Sequence, residues 1–340
     1  MSRIKKILLG GLAGFLVLTW VLGGIFYYQA THAAGKDARP VPVNITHGMT
    51  LKQVSNRLAD QHLIRSALCF QLLATLQKKQ NQIQVGEYEI SPSMLPVEIL
   101  DKFTSGKTVL HPVTIPEGYR ITEIATLLAQ RGLADREQFI RLTRDKELID
   151  SLGIPWESLE GYLFPETYHF NKYTSERKII QVMVNTFKKK APRPEYLERA
   201  KSLGLTFHQI ITLASLIEKE TGVDAERKLI SSVFHNRLKM KMRLQADPTV
   251  IYAMEDFDGN LRKKDLSIDS PYNTYRYGGL PPGPISSPGL QSIIAALYPD
   301  DTNNLYFVSR QDGSHEFSSN LIDHNRAVKK YQLKRVNNLH

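Results

Sequence analysis

The chain has 340 residues, a formal net charge of +10 and a single cysteine, Cys69. One cysteine excludes an internal disulfide, and no cysteine–histidine group has metal-site spacing, so packing must supply the stability. The positive charge is scattered, apart from Lys188–Lys190, and no nucleic-acid-binding motif accompanies it, which argues against nucleic acid as a partner. Cys69 lies in an apolar stretch and reads as a buried small hydrophobe.

Arg3, Lys5 and Lys6 precede an uncharged apolar run from Ile7 to Tyr28. At ~1.5 Å per residue, such a run crosses the ~30 Å hydrocarbon core of a bilayer. Trp20, Tyr27 and Tyr28 sit toward its far end, as interfacial aromatics do. The reading is a cytoplasmic tail (1–6), a transmembrane helix (7–28) and a polar linker (29–42). The basic flank keeps the N-terminus in the cytoplasm and places everything after the helix outside. A cleaved signal peptide is the competing reading, because Thr31–Gly35 contains a small-residue site.

After the linker an internal repeat appears. Val43–Ala59 aligns with Val113–Ala129 at an offset of 70, with Val, Ile, Gly, Leu and Ala recurring. Each copy reads as an alternating strand, a glycine turn and an amphipathic helix. Gly86–Ile90 should be a strand and Val97–Thr104 a helix, and a longer helix is expected from Ser175 to Lys190. This organisation predicts two small α+β modules, 43–110 and 111–192. The first resembles LysM, a fold that binds N-acetylglucosamine chains, although a purely structural role fits the same pattern.

Beyond the Pro192 and Pro194 break, a mainly helical region is expected from 193 to 340. Its helices should be Tyr196–Leu203, Phe207–Glu220, Ala225–Lys239, a short one capped by Asp247, Leu290–Leu297 and Leu321–Leu333. Asn304–Ser309 and Ser314–Phe317 read as a β-hairpin. The fold class is therefore α+β, with one N-terminal transmembrane helix.

The helix Phe207–Glu220 carries the densest information. On a wheel of ~100° per residue, Thr212, Ser215 and Lys219 form its polar face. Glu218 falls between Ile211 and Ala214, and Glu220 beside Leu213 and Leu216. Burying an ionised carboxylate is costly, so such groups are paired, protonated or catalytic. Arg227 and Arg237 on the next helix are available as partners for a purely structural arrangement.

Four segments in fixed order then carry a resemblance. They are Ile217-Glu218-Lys219-Glu220, Val233–Leu238 with Met242–Tyr252, Ser270–Tyr275, and Gly278–Gly289. Together they resemble the MltG (YceG-like) family of endolytic murein transglycosylases, over most of the chain after the anchor. The resemblance implies cleavage of nascent peptidoglycan strands at the MurNAc–GlcNAc bond, with 1,6-anhydroMurNAc ends, termination of strand elongation and no cofactor or metal. It places the acid at Glu218, a carboxyl whose apolar surroundings would keep its proton near neutral pH.

Glu220 is grouped with the substrate-binding residues and stays open among an ion pair with arginine, a supporting role and an acid in its own right. Tyr272, Asn273, Thr274 and Tyr275 read as a sugar-binding loop. Asn236 and Gln245 either contact sugar or cap backbone groups. Asp247 reads as a helix cap rather than a second carboxylate, and His315 and His324 as satisfied polar side chains. The implied partners are peptidoglycan strands, the inner membrane and a peptidoglycan synthase, with the catalytic part periplasmic. A hydrolytic muramidase and a non-catalytic wall-binding scaffold are the alternatives.

Overall fold

The computed structural model describes residues 3–254 and 256–333. Residues 1–2 of the expected tail and 334–340 of the expected C-terminal region lie outside the described residues. The chain is mixed α+β and mostly helical, with three two-stranded sheets among the described residues. It divides into two compact units, Met1–His111 with His169–Thr174, and Pro112–Tyr168 with Ser175–His340.

The first unit opens with α1 (Arg3–Thr31), and Leu8–Thr31 is long and apolar enough to cross a membrane. The helix outlasts the expected boundary at Tyr28, because Phe26 and Ala30 pack into the core of this unit. The following segment is docked rather than free. The Gly35 N–H donates to Pro92 O at 2.9 Å, and the Ser93 N–H to Asp37 O at 3.2 Å. Strand β1 (Val41–Ile45) pairs antiparallel with β2 (Gly86–Ile90), Val43 opposite Tyr88. Alternation turns Val43, Ile45, Tyr88 and Ile90 inward. Between the strands run α2 (Leu51–Asp60), with a Thr50/Gln53 capping box, and α3 (Ala67–Leu76), which the sequence reading did not anticipate. Cys69 on α3 is only partly buried. Helix α4 (Pro96–Thr104) closes the core, with proline in its first turn.

The repeat survives as geometry. β3 (His111–Thr114) and α5 (Ile121–Gln130) stand where β1 and α2 stand in the first copy. Gly48 and Gly118 turn the chain between strand and helix at φ 81° and 75°, the left-handed region that glycine enters freely. Next come α6 (Arg136–Leu142) and α7 (Lys146–Ser151), also unanticipated, capped by Asp135 and Asp145. β4 (Thr167–Phe170) pairs with β3, and α8 (Glu176–Lys190) starts from a Ser175 cap.

The rest of the second unit surrounds one helix. After α9 (Pro194–Ser202), α10 (Phe207–Glu220) is buried at every residue from Ile210 to Ile217. Thr212 and Ser215, expected on a polar face, are therefore inside. Thr212 Oγ1 donates to His208 O at 2.9 Å, and Ser215 Oγ donates to Thr212 O at 2.7 Å and accepts from Ile285 N at 3.0 Å. The cover comes from the irregular segment Pro281–Gly289, most of which is buried. Buried loop backbone needs partners, and Ser287 finds two: its N–H donates to Tyr119 O and its carbonyl accepts from Gly118 N, each at 2.8 Å.

α11 (Arg227–Lys239) begins after a single 3-10 turn, Asp224–Glu226, so it starts two residues later than expected. α12 (Asp247–Ala253) has Ala246 as its N-cap, not Asp247. The Asp247 side chain is drawn away to the Tyr275 hydroxyl. α13 (Leu290–Leu297) lies against α10. β5 (Tyr306–Ser309) pairs antiparallel with β6 (His315–Ser318), Phe307 opposite Phe317. α14 (Leu321–Val328) then widens into a π turn, Lys329–Leu333.

Gly161 makes a tight approach to the buried loop. It has φ 83°, and a Cβ there would stand 2.5 Å from Pro284 Cβ and 3.2 Å from Ile211 Cγ2. Gly161→Ala combines a strained backbone with overpacking, each worth ~1–3 kcal/mol. Its urea midpoint should drop by the equivalent of about 2–4 kcal/mol with an unchanged slope. A midpoint within error of the parent's would refute this account of the packing.

Candidate active site

The two glutamates at the end of α10 face different surroundings, as ~200° of helical rotation requires. Glu218 is enclosed, its side chain 8% exposed. Its Oε1 lies 3.3 Å from Arg227 Nη2, and its Oε2 accepts from Gly289 N, the N-cap of α13, at 2.8 Å. Both of its oxygens therefore accept from groups of the protein itself.

Arg227 is a hub. Its Nη1 meets Asp224 at 2.7 Å, its Nε donates to Ser292 Oγ at 2.9 Å, and Nη2 lies 4.0 Å from Glu117. Burial and the Glu218 charge raise the Glu117 carboxyl, against the pull of Arg227. The arginine pairing expected as the structural alternative thus exists for Glu218.

Glu220 is different. No hydrogen bond or ion pair within 4.0 Å joins its carboxyl to another described residue. It opens into a cavity of about 360 Å³ with Gln245, Asp247, Tyr275, His315 and His324. Burial pushes its pKa up to about 8, Asp247 reinforces the shift and Arg237 opposes it. Arg237, the expected partner, spends its N–H groups on backbone carbonyls instead: Leu305 O at 2.6 Å and Leu244 O at 2.8 Å.

Of the expected sugar contacts, Glu220, Gln245 and Tyr275 line this cavity. Gln245 holds φ 51°, an uncommon backbone state for a side-chain-bearing residue and one that concentrates at functional positions. The Tyr275 hydroxyl donates to Asp247 Oδ1 at 2.5 Å, which sets that carboxyl beside Glu220. Asn236, Tyr272, Asn273 and Thr274 are not brought there. Asn236 Nδ2 fastens Thr302 O and Asn304 O at 2.8 and 3.0 Å. Asn273 is fully buried, with Nδ2 on Leu266 O and Ile268 O. Thr274 bonds Ala246 N and Thr249 Oγ1, and the Tyr272 ring packs on Tyr252 at 4.8 Å. The side-chain polar groups of Asn236, Asn273 and Thr274 are thus spent within the protein.

Sequence reasoning missed another buried glutamate, Glu160, 5% exposed. It accepts from Ile121 N at 3.1 Å and Tyr252 Oη at 3.4 Å, and burial pushes it up to about 7. It also missed His315 and His324 as cavity residues. Only their distance in sequence from α10 hid them, since nothing local marks a histidine as facing a remote glutamate.

These features belong to a recognisable class of protein. The YceG-like family model matches residues 43–330, and the chain belongs to that family. It is 36% identical over 330 residues to the endolytic murein transglycosylase of Bacillus subtilis (strain 168), covering 92% of this chain and 91% of that one. It is 30% identical to the endolytic murein transglycosylase of Streptococcus pneumoniae serotype 2, covering 99% of this chain and 67% of that one. The crystal structure of a yceG-like protein from Listeria monocytogenes matches with a TM-score of 0.59 at 35% identity, covering 85% of this chain and 99% of that chain.

The two raised carboxyls have a measurable consequence for stability. Each keeps its proton in the fold at a pH where the unfolded chain has lost it. Their contribution is complete below the ordinary value of 4.5 and is lost as pH rises through about 7 for Glu160 and about 8 for Glu220. The melting temperature should therefore fall between about pH 5 and pH 8. Glu160→Gln and Glu220→Gln should each flatten that decline, and parallel profiles for parent and variants would contradict it.

Proposed function

We propose that the chain is a lytic transglycosylase that cuts peptidoglycan strands internally, with Glu220 as the group that moves the proton. The observation that carries this is a carboxyl in an open cavity, unpaired among the described residues and raised to about 8, hence protonated at neutral pH. Glu220 would protonate the glycosidic oxygen between MurNAc and GlcNAc. Left as a carboxylate, it would then take the proton of the muramyl C6 hydroxyl while that oxygen closes onto C1. The product is a 1,6-anhydro end, with no water consumed. Support for the substrate comes from the relatives named as murein transglycosylases.

Glu218, the acid favoured on sequence grounds, fits a supporting role: its ion pair with Arg227 holds the end of α10 and so aims Glu220. A second reading has an observation in its favour. Asp247 lines the same cavity, and two carboxylates are what a hydrolytic muramidase uses. The first α+β unit is proposed as a LysM-like glycan-holding module, and α1 as an uncleaved anchor with its N-terminus in the cytoplasm. Anchoring places the enzyme where strands are made and suggests a synthase as neighbour.

Glu220→Gln should fold and lose ~10²–10⁴-fold in turnover, the usual contribution of positioned acid–base catalysis. Glu218→Gln should cost stability, ~1–3 kcal/mol for a charged hydrogen bond, and keep part of its activity. The reverse pattern would move the acid to Glu218. Mass spectrometry of digested sacculi should find 1,6-anhydro ends, whereas reducing ends together with an inactive Asp247→Asn would establish the muramidase.

The anchor reading is checked separately by fractionation. The protein should resist extraction by salt and alkali, and a reporter after His340 should be active only outside the cytoplasm. Soluble release of the body after cleavage near Thr31–Gly35 would replace the anchor with a signal peptide.

A further inference from the structure

His315, the first residue of β6, lines the cavity beside Glu220 and has no part in the scheme above. Its Nδ1 lies 2.7 Å from Glu226 Oε2, and its backbone N–H donates to Glu226 Oε1 at 3.0 Å. Both side chains are nearly enclosed, 11% and 14% exposed. Phe307 meets the imidazole edge-on at 5.4 Å and 85°. The hairpin turn is seated against the chain just past α10. A Cβ at Gly222 would stand 2.5 Å from Gly313 O, so the two backbones touch two residues from Glu220.

This geometry dictates a tautomer. A carboxylate only accepts, so Nδ1 must carry the ring proton. In the neutral ring Nε2 is then a bare lone pair, the arrangement by which a carboxylate orients an imidazole. Among the described residues nothing donates to Nε2. A staple between hairpin and α11 needs only the Nδ1 side of the ring. It does not explain a fixed acceptor on the wall of the cavity that holds Glu220.

We propose that His315, held in this tautomer by Glu226, contacts the substrate, its Nε2 accepting a hydrogen bond from a hydroxyl or amide N–H of the saccharide. The contact sets how the sugar lies against Glu220, and Glu226 acts through His315 as a positioning residue. The proposal rests on the glycan-cleaving reading above.

Glu226→Gln isolates the tautomer. The backbone N–H of His315 can only donate, so the new carbonyl oxygen must take it. The amide NH₂ then faces Nδ1, which becomes the acceptor, and the proton moves to Nε2. The cavity gains a donor where an acceptor stood. His315→Asn is the complementary variant: its amide reproduces the Nδ1–H bond to Glu226 and deletes Nε2.

Both variants should melt near the parent, with ¹⁵N shifts of His315 reporting the reversed tautomer in Glu226→Gln. On uncrosslinked peptidoglycan strands, kcat/KM should fall roughly 10–100-fold in each, mainly through KM, as for a lost or opposed polar contact. Unchanged kcat/KM in a folded His315→Asn, with Glu220→Gln inactive, would reduce the pair to a structural staple. An active Glu220→Gln would instead show that the cavity is not the site of reaction.

Discussion

One guanidinium decides the difference between two carboxyls only two residues apart. Helical rotation sends Glu218 and Glu220 to opposite sides of α10, and Arg227 stands on one side only. It satisfies Glu218, and with it gathers Asp224, Glu117 and the start of α13 into one network. Among the described residues Glu220 receives no such partner, and burial pushes its pKa up to about 8. The nearest candidate, Arg237, is tied to backbone carbonyls that it cannot leave without stranding them.

The buried segment Pro281–Gly289 makes this arrangement rigid. Four prolines remove backbone donors that would otherwise need partners in the interior, and Ser215, Tyr119 and Gly118 answer Ile285 and Ser287. The same segment delivers Gly289 N–H to Glu218. A Pro/Gly-rich loop is thus the inner wall against which α10 packs. This also explains why two hydroxyl residues sit on the fully enclosed face of α10: they supply hydrogen bonds to the loop and to the helix itself.

Much of this was legible beforehand, and the failures have physical reasons. The repeat at an offset of 70 was visible because strand, turn and helix each leave a periodic mark, and Gly48 and Gly118 share one backbone state. The glutamate pair was visible because charge on an apolar arc is conspicuous. Which of the two faces a cavity was not, since it depends on where Arg227 and Arg237 spend their N–H groups. Asn273 and Thr274 looked like sugar ligands because polar loop residues resemble one another in sequence. Their partners, Leu266 O and Ile268 O from a neighbouring turn and Thr249 Oγ1 from α12, are announced by no local pattern. The place of His315 on the cavity was missed for the same reason, since Glu226 lies 89 positions away.

The last turns of α1 bury Phe26 and Ala30 in the core of the first unit, and Gly35 is pinned to Pro92 immediately after. A coil in that place would let the module wander through a hemisphere of volume. With the helix built into the core, the module rides on a stiff mast. Where α1 crosses a bilayer, as proposed, its elevation above the headgroups follows from helix rise rather than from an average over chain conformations. Motion then reduces to lateral drift and spin, so the module searches a layer of nearly constant depth.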